Sequence, residues 1–286
     1  MNTHIRQRLE ALLGSPITSF HTPKGGYTPA LRFVCQTDRG RAFAKVGADP
    51  FSTQATLKEI EVYEALSLSC MPRLLASDAS AEAPILIIED LSHAHWPVPW
   101  REGDLEQVVE AIGEIHRATV SAEVREQLKG PPGWPGWREV AQAPEEFLAS
   151  GLASKAWLDQ ALPMLIDATT RCPVDGDELV HHDLRSDNMC IGADGVRVID
   201  WSWTDIGNAD LDLAFFLNAV NSEGGPPQEA YFPDAPEQAA VVSGFFGSQC
   251  VKPVIPTAPH VRTVQLQQFR AALAWVTRAL DLPPLS

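Results

Sequence analysis

Two hydrophobic periods divide this chain, and their order restricts its fold more than any other feature. Up to Leu91 the apolar residues fall mostly in short runs of strand length, at 17–21, 31–37, 41–46, 73–77 and 84–88. Gly25-Gly26 and Asp38-Arg39-Gly40 separate the first three runs with turn residues, so these segments read as an antiparallel meander. Two helices interrupt the strands, a leading one over 2–13 and an amphipathic one over 53–68 that Met71-Pro72 closes. Beyond Leu91 the period is helical, at 104–119, twice across 144–170, and again at 210–220, 236–247 and 260–279. Two short strands within 180–199 flank Asp194-Gly195, and the Pro- and Trp-rich run 131–137 reads as a rigid, turn-rich insert. Strands first and helices after predict an α+β chain of two lobes. The smaller lobe spans 1–91, an antiparallel sheet with one main helix, and the larger, mostly helical lobe spans 92–286. The Pro- and Trp-rich stretch 93–100 marks the junction.

A length of 286 residues exceeds a typical single core, which suits two lobes sharing a cleft. With 45% hydrophobic and 21% charged residues, the chain has the material for a packed interior and is not a disordered or fibrous sequence. The formal net charge of -15 opposes long-range attraction to nucleic acid or to an anionic membrane, so neither is expected as a partner. No run approaches the roughly 20 apolar residues of a membrane span, and the first ten residues read as a helix start rather than a signal peptide. A cytoplasmic protein is expected. The five cysteines are odd in number and scattered, which points to reduced, buried thiols rather than a disulfide framework or a zinc knuckle.

The most informative segment runs Val180-His181-His182-Asp183-Leu184-Arg185-Ser186-Asp187-Asn188 and is followed by Val198-Ile199-Asp200-Trp201. Phosphoryl transfer needs a carboxylate to orient an attacking hydroxyl and accept its proton, and ligands that hold Mg²⁺ against phosphate oxygens. H-x-D-x-x-x-x-N, a hairpin, and a strand ending in Asp provide both. A lone H-x-D would be read as a surface loop; the spaced Asn and the strand-ending Asp tip the reading towards catalysis.

These residues resemble the aminoglycoside phosphotransferase and choline kinase superfamily, whose pattern is H-G-D-x-x-x-x-N followed by I-D-[WF]. The resemblance implies a protein-kinase-like, two-lobed fold and a small-molecule kinase that uses ATP, with GTP as the alternative, and Mg²⁺. It makes Asp183 the base and Asn188 and Asp200 the metal ligands. Gly207-Asn208-Ala209-Asp210-Leu211-Asp212-Leu213-Ala214 matches the family's G-D-P-x-x-D-L-A, with Asp212 bracing the catalytic loop. His182 for Gly, Asn208 for Asp and Ala209 for Pro are departures. Arg185, two residues past the base where protein kinases carry a Lys, has two readings, a donor that neutralises the moving phosphoryl group or an exposed Arg that balances Asp187. His116, ending the 104–119 helix, is expected to be structural.

Upstream, Lys45 ends the third strand and Glu59 lies in the following helix, the order in which kinase-like folds hold a phosphate-binding Lys with a Glu. Glu61 is the alternative partner. Gly25 and Gly26, within Lys24-Gly25-Gly26-Tyr27-Thr28, would let backbone N–H groups approach the phosphates. The backbone near Glu89 and Leu91 resembles the hinge that bonds adenine. The expected acceptor is a small molecule, cationic or polyhydroxylated, with Asp205, Asp210, Glu223, Trp201 and Trp203 as candidate contacts. Two other readings compete. A protein kinase would carry D-F-G and A-P-E, where this chain has Asp200-Trp201-Ser202 and no A-P-E; an idle nucleotide-binding module would not need the base.

Overall fold

The computed structural model describes residues 1–23, 25–26, 29–80, 82–128, 130 and 134–284. In chain order the elements are α1 (Thr3–Leu13), β1 (Ile17–His21), β2 (Leu31–Thr37), β3 (Gly40–Val46), α2 (Pro50–Ala65), β4 (Leu74–Asp78), β5 (Ile85–Glu89) and α3 (Asp104–His116). There follow α4 (Ala122–Leu128), α5 (Trp137–Gln142), α6 (Pro144–Leu148), α7 (Lys155–Arg171), β6 (Glu178–Val180), β7 (Met189–Gly192), β8 (Gly195–Val198) and β9 (Asp205–Gly207). The last three are α8 (Ala209–Ser222), α9 (Pro236–Gln249) and α10 (Val261–Ala279). They assemble into two compact units, Met1–Ile115 with Asp187–Thr204, and His116–Ser186 with Asp205–Ser286. The boundary read from the sequence after Leu91 falls inside the first unit. The segment carrying Asp183, Asn188 and Asp200 passes from the second unit into the first at Ser186/Asp187.

In the first unit the sheet order is β1-β2-β3-β5-β4, and every neighbouring pair is antiparallel. The turn after Thr37 sets the central register: Thr37 opposes Gly40, whose φ of 120° calls for glycine, and counting back along the hairpin opposes Arg32 to Lys45. Alternation then separates two faces. Phe33, Cys35, Ala42, Ala44, Val46, Ile85 and Ile87 pack on Ile5 and Leu9 of α1. Arg32, Val34, Phe43, Lys45 and Leu86 have the opposite parity and share the other face.

The α2 helix begins at Pro50, three residues earlier than its periodicity suggests. Asp49 accepts from the Ser52 N–H at 2.8 Å while the Ser52 hydroxyl bonds back to the Asp49 N–H, a capping box with proline at the permitted first position. The helix ends at Ala65 rather than at 68.

The second unit is built from helices. Trp137, Phe147 and Phe269 are fully buried at its centre, with ring centroids 5.6–6.3 Å apart and edge-to-face or tilted. The indole of Trp137 donates to Ser243 Oγ at 3.1 Å. Within the insert at 131–137, Trp137 thus opens α5, and Pro131–Gly133 lie outside the described residues. The two-stranded ribbon of β6 and β9 leads directly into His181 at one end and Asn208 at the other. Asn208 caps α8, its side chain accepting from the N–H groups of Asp210 and Leu211. Among the described residues no helix is long and apolar enough to cross a membrane.

Candidate active site

The loop that carries Asp183 is tied down by a carboxylate from α8. Asp212 Oδ2 accepts from the His181 N–H at 2.9 Å and Oδ1 from the His182 N–H at 2.8 Å, and His116 Nε2 lies 3.0 Å from Oδ2. It is 1% exposed, so burial alone would raise its pKa. The bond to His116, the nearby His182 and the backbone N–H of His181 outweigh that and hold it below the ordinary aspartate value. This clamp is the bracing role that the motif assigned to Asp212, with His116 as its structural partner. His182 takes φ 64° in the left-handed region, where the related pattern carries glycine, and its ring meets Trp134 edge-on at 5.0 Å. Trp134 in turn stacks on Phe215 at 5.1 Å.

Asp183 and Arg185 form an ion pair, Nε to Oδ1 3.3 Å, and both side chains are partly exposed. One residue on, Ser186 Oγ donates to Glu223 Oε1 at 2.5 Å, fixing the C-terminal end of α8 to the same loop. These contacts all lie within the second unit.

The first unit holds the other half of the motif. The carbonyl of Asn188 accepts from the Ile199 N–H at 2.8 Å, so the β7–β8 hairpin brings Asn188 beside the residue that precedes Asp200. Asp200 sits at φ 65°, a left-handed conformation that Asp tolerates better than most residues. Lys45 Nζ donates to Glu59 Oε2 at 2.7 Å and to Asp200 Oδ1 at 2.9 Å. Burial would lower the ammonium pKa, but Glu59 and Asp200 outweigh it, so Lys45 is held protonated, above the ordinary lysine range. The α2 helix supplies Glu59 at 3% side-chain exposure and turns Glu61 outward at 48%, which settles their register. Ser202 Oγ donates to Asp200 Oδ1 at 3.1 Å, and Trp201 is wholly buried with its Nε1 on the Val198 carbonyl at 2.8 Å.

Asn188 and Asp200 offer neutral and anionic oxygen donors from adjacent backbone. That set fits Mg²⁺, which keeps few protein ligands and completes its shell with phosphate and water oxygens. Gly25 and Gly26 have φ of 103° and 84°; Lys24, Tyr27 and Thr28 of that loop lie outside the described residues. The Glu89 N–H donates to the Arg73 carbonyl at 3.0 Å, and the Leu91 carbonyl accepts from the Ala94 N–H at 3.0 Å.

Several candidates are structural in their visible contacts. Asp205 Oδ1 accepts from the Gly130 N–H at 2.8 Å, and Trp201 is core. Trp203 is 57% exposed, and Asp210 lies on the first turn of α8. Two features went unread in the sequence: the contact of His182 with Trp134, which joins distant loops and leaves no periodic trace, and Arg32, which the hairpin count already opposes to Lys45.

A braced Asp loop, a Lys-Glu-Asp cluster on an antiparallel sheet and a helical second unit define a protein-kinase-like α+β fold. The model of the phosphotransferase enzyme family matches residues 20–245, most of the chain, and the chain belongs to that family. Solved structures agree on the fold. The aminoglycoside phosphotransferase APH(4)-Ia is 17% identical, with 98% of each chain covered and a TM-score of 0.62. The spectinomycin phosphotransferase APH(9)-Ia, solved with ADP and spectinomycin, is 15% identical over 98% of each chain at 0.62. The choline kinase LicA from Streptococcus pneumoniae is 13% identical over 96% of this chain and 98% of that one, at 0.63. Comparison with curated protein sequences returned no match.

Proposed function

We propose that this protein transfers the γ-phosphate of ATP to a hydroxyl of a small molecule, with Asp183 as the base. The observation that carries the reading is the pairing of Lys45 with both Glu59 and Asp200 in the first unit; in the second, Asp212 clamps the loop of Asp183. A buried ammonium fixed by two carboxylates is a preorganised grip for the α- and β-phosphates. Asn188 and Asp200 would hold Mg²⁺, which when bound supplies charge neutralisation to the phosphate oxygens. Asp183 orients the acceptor hydroxyl and takes its proton, and Arg185, already paired with Asp183, donates to the phosphoryl oxygens as negative charge moves. The backbone of Glu89 to Leu91 is the adenine edge, and Gly25 and Gly26 face the phosphates with N–H groups.

The related structures were solved with hygromycin B, with spectinomycin, or as a choline kinase, so an amine-bearing or polyhydroxylated acceptor is the first class to test. Glu223, held by Ser186 on the catalytic loop, is the carboxylate best fixed to meet a cationic group. The test is a mass-spectrometric screen of aminoglycosides, amino alcohols and sugars with Mg-ATP, reading the gain of one phosphate. Asp183→Asn should lower turnover by about a thousandfold while ADP still binds. Undiminished turnover in that variant removes Asp183 from the role of base.

A further inference from the structure

We infer that Arg32 is a second phosphate-binding cation of the nucleotide site, acting beside Lys45 from the neighbouring strand. The inference rests on the nucleotide reading above and deepens it. Arg32 and Lys45 are directly opposed in the β2–β3 ladder, so their side chains leave the same face of the sheet. The guanidinium reaches back under the glycine loop: a Cβ placed on Gly26 would lie 2.6 Å from Arg32 Cζ and 2.9 Å from each terminal nitrogen. Gly26 has φ 84°, so side chains are disfavoured there twice, by conformation and by this guanidinium. The backbone that approaches the phosphates and a cationic fork thus occupy one place.

Charge points the same way. Burial lowers the guanidinium pKa, and the carboxylates of Asp200 and then Glu59 act against that, so Arg32 belongs to the same electrostatic cluster as Lys45. Within that cluster two cations face two carboxylates. Glu59 is buried and bound to Lys45, whereas Asp200 is the residue assigned to the metal. Once Asp200 serves a divalent cation, the site carries an excess of positive charge that a polyphosphate would neutralise. Arg32 bonds the Ala30 carbonyl through Nη1 at 3.0 Å, and a guanidinium presents five donors in a planar fork suited to phosphate oxygens.

Calorimetric titration of the full chain with ADP and with adenosine tests this. Arg32→Gln should weaken ADP by about tenfold or more and move adenosine by less than about twofold, since only ADP carries the phosphates. Arg32→Lys keeps the charge but loses the fork, and should weaken ADP several-fold with adenosine unmoved. It carries the test if the glutamine variant does not fold. Unchanged ADP affinity in either folded variant overturns the inference, as does an equal loss for ADP and adenosine. If the unsubstituted protein binds adenosine but gains nothing from the phosphates of ADP, the inference falls while the adenine site stands. If it binds neither, the nucleotide reading itself has failed.

Discussion

Asp212 shows how one buried carboxylate can govern the course of a loop. It accepts from two consecutive backbone N–H groups and faces His116 and His182, all within the second unit. Asparagine would keep one acceptor but turn an amide NH₂ towards the other N–H, leaving a buried donor unsatisfied. Asp212→Asn should therefore cost about 3 kcal/mol in urea unfolding, read as a lower midpoint at constant slope. The sign with pH follows from the depressed pKa. The folded state holds the carboxylate ionised more tightly than the unfolded chain does, so its stabilisation is complete above the unfolded value of about 3.9. That contribution is lost as pH falls from there through the lower folded value. The variant should lack this part of the acid transition, and retention of the full acid slope would mean that other carboxylates supply it.

At the scale of elements, close helix packing depends on a glycine. A Cβ on Gly244 of α9 would stand 2.8 Å from Trp137 Cδ1 and 2.9 Å from the Trp137 backbone nitrogen, so α5 would have to retreat from the centre of the core. Gly244→Ala should destabilise the chain by about 2 kcal/mol despite alanine's better helix propensity, measurable by chemical denaturation. A stabilised variant would show that α5 shifts without penalty. Elements of this length were legible because each repeats its period several times: the five strands of the sheet and helices α7 to α10 follow the apolar pattern. The β6–β9 ribbon was not, since three-residue strands contain no period and their pairing joins residues 178–180 to 205–207. Helices α4 and α5 also escaped, lying beside a proline-rich run whose composition argues for turns. The candidate site divides in the same way. Asp183, Asn188 and Asp200 announce themselves by spacing along the chain, whereas choosing Glu59 over Glu61 required the burial of α2. Arg32 required the hairpin register to be carried five residues beyond its turn.

Over the whole molecule, charge is unbalanced: 37 acidic residues against 22 basic ones leave a formal net charge of -15. Local pairs do not offset this, because each ion pair cancels one charge of either sign and leaves the difference unchanged. The remaining excess repels itself across the surface, and that repulsion opposes the compact state. Exposed ion pairs such as Lys155–Asp159 add little to oppose it and weaken as salt rises. Screening acts on the two effects with opposite sign, and their sizes decide the outcome. Raising NaCl from about 10 mM to about 150 mM shortens the Debye length from roughly 30 Å to roughly 8 Å, which removes long-range repulsion while buried pairs are screened much less. The melting temperature should therefore rise over that range by about 2–4 °C, the shift that relief of about 1 kcal/mol produces in a chain of this size, and then level off. A melting temperature that falls with added NaCl would show that exposed ion pairs, not net charge, dominate the electrostatics of the folded state.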